Sequence, residues 1–134
     1  MKTKINKILL IDDSEPINFI HRYILDELGC VDEIITKENG EEAIDYLISL
    51  VNLKTQLPKF IFIDINMPRM NAWEFITEYR KIDSQLRLQS FVFLLTSSID
   101  PTDLEKARGI VEINEVRDKP FNEMVIQEII EKYR

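Results

Sequence analysis

Three short apolar runs each stop at a polar residue of the kind that does chemistry, and this repeated punctuation constrains the fold more than any other feature. Phe60-Ile61-Phe62-Ile63 ends in Asp64, Lys7-Ile8-Leu9-Leu10-Ile11 ends in Asp12-Asp13, and Phe91-Val92-Phe93-Leu94-Leu95 ends in Thr96-Ser97. Unbroken runs rich in β-branched and aromatic residues predict parallel strands covered on both faces. A weaker fourth segment, Val116 to Asp118, ends in Lys119-Pro120. Ligands of open α/β sheets bind at the carboxyl ends of the strands. Laid side by side and parallel, these segments gather three carboxylates, a hydroxyl and an ammonium at one sheet edge.

Helical signals separate the strands. Ser14-Glu15-Pro16 has a capping residue, an acid and a first-turn proline, the form of a helix start. Ile17, Ile20, Ile24 and Leu28 recur at helical spacing as the stripe expected to face the sheet, with Gly29 as the stop. His21 lies off that stripe and reads as a solvated helix residue. Val31 to Thr36 reads as a mixed edge strand. Asn39-Gly40 opens a second helix carrying Ala43, Ile44, Leu47 and Ile48. After Asp64, Asn71 with Glu74 predicts a capping box for a helix bearing Phe75, Ile76, Tyr79 and Ile82, with Met70 and Trp73 packing locally. Asp100-Pro101 starts a short helix ended by Gly109, and Phe121, Met124, Ile129, Ile130 and Tyr133 mark a C-terminal one.

Strand and helix thus alternate five times, which predicts a doubly wound parallel sheet in a three-layer sandwich. For five strands the usual order is 2-1-3-4-5, which sets the strands ending in Asp13 and Asp64 side by side. The chain of 134 residues suits a single domain, 1–134. Its formal charge of −7 excludes non-specific nucleic-acid binding. The apolar runs are too short to span a bilayer, and Met1-Lys2-Thr3-Lys4-Ile5 has no signal-peptide h-region, so the reading is a cytoplasmic protein. One cysteine and one histidine cannot build a zinc site, and Cys30 reads as a small buried or half-buried hydrophobe.

Two carboxylates about 5 Å apart repel by roughly 3 kcal/mol at an effective dielectric near 20. A cluster of three therefore needs a cation. Oxygen ligands of this type favour Mg²⁺, held by carboxylates, waters and a phosphate. Lys119 and Thr96 would add a charge and a hydrogen-bond donor, which completes a phosphoryl clamp. An ionised Asp needs no base to act as a nucleophile, so Asp64 requires only positioning and charge neutralisation.

These motifs together resemble the receiver domain of two-component response regulators: Asp12-Asp13, Asp64 with Ile65-Asn66-Met67-Pro68, Thr96-Ser97 and Lys119-Pro120. The resemblance covers essentially the whole chain and points to the stand-alone, chemotaxis-type members without an output domain, in a bacterial cytoplasm. It implies a flavodoxin-like sandwich in which Asp64 accepts a phosphoryl group from a phosphohistidine of a sensor histidine kinase or phosphotransfer protein. It implies Mg²⁺ held by Asp13, Asp64, the backbone carbonyl of Asn66 and, partly through water, Asp12. Lys119 would pair with the phosphoryl oxygens, Thr96 would swing toward them, and backbone amides near Asn66 and Ser97 would help. The Lys119–Pro120 bond would be cis. Phosphorylation would change the surface offered to a downstream protein, so the chain would regulate rather than act as an enzyme on other substrates.

The sequence departs from the family pattern at the position of the aromatic switch, which is Val116, and at Ala72, where glycine often follows Asn71. Asn66 and Ser98 occupy positions that tune water access. Three rivals share parts of the signal. A haloacid-dehalogenase-type phosphatase would need an acid where Asn66 stands, because an amide cannot shuttle a proton. An FMN carrier needs a hydroxyl- and glycine-rich phosphate loop, and the only glycines are Gly29, Gly40 and Gly109. A degenerate receiver working as an interaction module would not need the full acidic set.

Overall fold

Alternation along each strand decides which side chains meet which helices. The computed structural model describes residues 4–133; Met1-Lys2-Thr3, part of the start read above as lacking a signal peptide, lies outside them. The elements in order are β1 (Ile5–Ile11), α1 (Glu15–Leu28), β2 (Val31–Lys37), α2 (Gly40–Asn52), β3 (Phe60–Asp64), α3 (Ala72–Tyr79), α4 (Ser84–Arg87), β4 (Phe91–Thr96), α5 (Pro101–Arg108), β5 (Ile113–Asp118) and α6 (Glu123–Lys132). All strand pairs are parallel and the order is β2-β1-β3-β4-β5, as expected.

Leu9, Ile11, Ile61, Ile63, Val92 and Leu94 point to one face and pack against α2, α3 and α5 through Ala43, Leu47, Phe75, Ile76, Tyr79 and Ala107. Ile8, Leu10, Phe60, Phe62, Phe93 and Leu95 point to the other, against Leu25, Leu28, Phe121, Ile126 and Ile129 of α1 and the α6 region. Period two over three adjacent strands generates both layers. The second is an aromatic cluster, with the Phe62 and Phe93 rings 5.0 Å apart and Phe62 and Phe121 5.1 Å apart. Cys30 is buried, as expected.

Several expectations on the helices are corrected. The buried stripe of α1 is Asn18, His21, Leu25 and Leu28, while Ile20 is 40% exposed. His21, expected in solvent, is 1% exposed. Both stripes satisfy helical spacing, and the polar one wins because Asn18 and His21 find hydrogen-bond partners on neighbouring loops. On α2 Leu50 is buried in place of Ile48, and on the last helix Ile126 is buried while Met124 is exposed. Ile82 is buried but lies beyond the end of α3. The single-turn α4 was not foreseen; Asp83 caps it by accepting from the Gln85 N–H at 2.8 Å.

Candidate functional site

Strand register brings the polar termini together. Ile11 is level with Ile63, Asp64 with Leu95, and Thr96 with Asp118. Parity then sorts the side chains. Asp12 and Asp64 follow the alternation of Leu10 and Phe62 toward the α1 and α6 face, whereas Thr96 follows Val92 and Leu94 toward the other. Lys119 reaches the first group: its Nζ lies 2.9 Å from Asp12 Oδ2 and 3.1 Å from Asp64 Oδ2. The Lys119–Pro120 peptide is cis, and the Lys119 N–H donates to the Thr96 carbonyl at 2.9 Å. Asp118, one residue earlier, is exposed.

Asp12 and Asp64 are 2% and 5% exposed, while Asp13 faces solvent. Carboxylate oxygens of the three lie within 4.8 Å of one another. Asp12 Oδ1 accepts from the Ser14 N–H at 2.8 Å and Asp64 Oδ1 from the Asn66 N–H at 3.4 Å. Three carboxylates and one ammonium leave a formal −2, and every remaining acceptor is a hard oxygen, so the donor set fits a divalent cation such as Mg²⁺.

Burial, aided by the negative charge of Asp12, pushes the Asp64 carboxyl above its ordinary range despite the opposing pull of Lys119 and the Asn66 amide. For Lys119 burial works downward, but the hydrogen bonds to Asp12 and Asp64 outweigh it and hold the ammonium above its usual value. A raised carboxyl pKa means that the folded state binds a proton before the unfolded one. This group therefore gives the metal-free protein stability as pH falls, and burdens it at neutral pH. Asp64→Asn is accordingly expected to stabilise the metal-free domain by about 1 kcal/mol at pH 7, measured by denaturant unfolding in a chelator.

The other candidate residues are placed as follows. Thr96 is buried, and its hydroxyl donates to the Ser98 carbonyl at 3.1 Å while accepting from the Ser98 N–H at 3.3 Å. Ser97 and Asn66 are exposed. Val116 is half-buried against the core on the α2, α3 and α5 face.

The loop from Ile65 to Asn71 is closed by the Ala72 N–H donating to the Ile65 carbonyl at 3.2 Å, and leads into the Asn71–Glu74 capping box. Met70 and Trp73 pack against the neighbouring core. Gly40 supports this loop from α2: a Cβ there would lie 2.9 Å from the Met70 carbonyl oxygen. Backbone cannot yield as a side chain can, so Gly40→Ala is expected to cost about 1 kcal/mol, read as a lowered unfolding midpoint.

Sequence reasoning missed two residues behind the site. The Asn18 Nδ2–H donates to the Asp12 carbonyl at 2.9 Å. His21 Nε2 accepts from the Phe121 N–H at 3.2 Å, and the two rings stack at 3.9 Å. Burial, and secondarily the charge of Lys119, lowers the His21 pKa to about 4, so at neutral pH the imidazole is the uncharged acceptor this contact needs. The spacing 18, 21, 25, 28 was visible, but hydropathy ranks Asn and His as outward-facing.

The chain matches the family model described as the response regulator receiver domain over residues 8–131. A two component response regulator from Cytophaga hutchinsonii has a similar structure, with TM-score 0.89 and 34% identity over 97% of both chains. A chemotaxis protein CheY homolog from Campylobacter jejuni is 29% identical over 129 residues, 93% of this chain and 89% of that protein. The alkaline phosphatase synthesis transcriptional regulatory protein PhoP of Bacillus subtilis is 29% identical over 118 residues, 87% of this chain but 43% of that regulator. The chain thus spans less than half the length of that relative.

Proposed function

The chain belongs to the response regulator receiver family, and from that premise we propose that Asp64 is the phosphoacceptor of a two-component phosphorelay. The observation that carries this reading is the convergence of Asp12, Asp13 and Asp64 oxygens within 4.8 Å, with Lys119 Nζ bridging Asp12 and Asp64. The donor is a phosphohistidine of a sensor histidine kinase or a histidine phosphotransfer protein. An Asp64 carboxylate oxygen forms the new O–P bond as the P–N bond breaks, and the imidazole leaves with the electron pair and takes a proton. The product is an aspartyl phosphate.

Asp12, Asp13, Asp64 and the Asn66 carbonyl would hold Mg²⁺, which supplies charge neutralisation for the incoming phosphoryl group. Lys119 then exchanges its contact with Asp64 for the phosphoryl oxygens, a short move because it already touches that carboxylate. The Thr96 hydroxyl leaves Ser98 for the same oxygens, and amides near Ser97 add donors. These exchanges bias two arrangements of the surrounding loops, which a downstream protein reads. With Val116 at the switch position there is no ring to follow Thr96, so the loops themselves carry the output. The reaction is the protein's own modification rather than turnover of other substrates. Among the described residues no helix is long and apolar enough to cross a membrane, and a cytoplasmic location is part of the proposal.

Incubation with acetyl phosphate and Mg²⁺ is expected to give a single phosphoryl adduct by intact mass. A chelator present from the start prevents its formation, and Asp64→Asn never forms it. Continuous phosphate release from many esters would instead indicate an aspartate-nucleophile phosphatase, and no adduct from any donor a degenerate interaction module.

A further inference from the structure

Helix α1 presents two polar side chains to the interior, three residues and about 4.5 Å of rise apart, and each is bound to a different loop of the site. Asn18 is 7% exposed and donates to the carbonyl of Asp12 at 2.9 Å. His21 is 1% exposed and accepts from the backbone of Phe121 at 3.2 Å, two residues after Lys119. The side chains of those same two loops meet where Lys119 Nζ lies 2.9 Å from Asp12 Oδ2. The result is a closed circuit: α1 to Asp12, Asp12 to Lys119, Lys119 along the chain to Phe121, and Phe121 back to α1.

We infer that Asn18 and His21 are positioning residues that clamp the Asp12 and Lys119 loops to one rigid helix and so set the geometry of the Lys119–Asp12–Asp64 triangle. Packing alone does not account for them. Apolar residues at both positions would continue the Leu25 and Leu28 stripe, whereas Asn18 Oδ1 is buried without a partner among the described residues. A buried orphan acceptor is unfavourable, and it persists here beside a donor placed on the Asp12 backbone. His21 also combines a stacked ring with an acceptor, and only a neutral imidazole fills both roles.

This inference rests on the phosphoacceptor reading for its consequence in rate, but the placement of Lys119 can be read without it. The test uses His21→Leu, His21→Gln, Asn18→Leu and the double leucine variant, each checked for a native near-ultraviolet spectrum. Phosphorylation by acetyl phosphate is timed at saturating Mg²⁺. Acetylation of Lys119 by acetic anhydride, relative to the exposed Lys81, is measured by peptide mapping in the metal-free protein.

Each leucine variant is expected to phosphorylate about tenfold more slowly, as loosened positioning implies. Lys119 is expected to become severalfold more reactive, and His21→Gln, which keeps an acceptor, to recover most of both effects. The double variant falls short of the product of the single effects, because both clamps act through one contact. Lys119 reactivity within twofold of wild type in both leucine variants overturns the clamp, as does a glutamine variant no better than leucine. If wild type forms no adduct, the phosphoacceptor reading fails and Lys119 reactivity still decides the clamp. Should His21→Leu not fold, Asn18→Leu carries the test, since it leaves the His21–Phe121 contact in place.

Discussion

Lys119→Met is expected to cost the metal-free domain about 3 kcal/mol, the size seen when one partner of a buried ion pair is removed. Exposed salt bridges contribute about 0–1 kcal/mol, so burial decides which figure applies. The side chains of Lys119, Asp12 and Asp64 are 14%, 3% and 7% exposed, which places this cluster in the buried class. Methionine keeps the length and apolar stem of lysine, so the loss reports the missing ammonium rather than a cavity. Without it, Asp12 and Asp64 repel each other with, among the described residues, only the backbone donors of Ser14 and Asn66 to offset the charge. The measurement is denaturant unfolding in a chelator, repeated in excess Mg²⁺. Because the variant site carries one more net negative charge, Mg²⁺ should stabilise it more than it stabilises wild type. A chelator-state loss under 1 kcal/mol would show that solvent already screens the carboxylates.

What the sequence revealed of this domain is what periodicity and strand termini encode. Phe60 to Asp64 has no solvated face, so it had to be a central strand, while the strand order came from the usual arrangement of five-stranded doubly wound sheets and not from these residues. The convergence of Asp12, Asp64 and Lys119 follows from strand ends in register, which adjacency in the sheet supplies. Three things escaped for physical reasons. The inward face of α1 is chosen by hydrogen-bond partners 6 and 100 residues away, and hydropathy carries no information about partners. The orientation of Thr96 depends on a hydroxyl satisfied by its own loop at Ser98, a local alternative that competes with any longer reach. Helix α4 is four residues long, too short for an apolar stripe to register. The one signal it left was Asp83 ahead of Ser84, a capping pattern with nothing periodic after it.

Acidification from pH 6.5 to about 4 is expected to remove about 3 kcal/mol of stability through His21 alone. Its pKa falls from 6.5 to about 4 on folding, so across that window the unfolded chain holds a proton that the folded chain refuses. Stability therefore rises with pH between the two values and is fully present above 6.5. Protonating Nε2 would also break its bond from the Phe121 N–H, so the charged form loses a contact as well as solvent. Other groups act at the low end. Glu112 and Glu115 have pKa values below their ordinary range, burial being outweighed by Arg80 at the first and by Tyr133, Lys132 and Arg117 at the second. Their contributions fade only as pH falls through the carboxylate range, and the raised Asp64 works in the opposite direction. His21→Gln separates these effects, because it keeps an acceptor but cannot take up the proton. The slope of unfolding free energy between pH 6.5 and about 4.5 should flatten in that variant, while the carboxylate region below stays unchanged. The chain has one histidine, so its imidazole resonances can be followed directly by NMR. A midpoint near 6.5 in the folded protein would place His21 in solvent and remove this pH dependence.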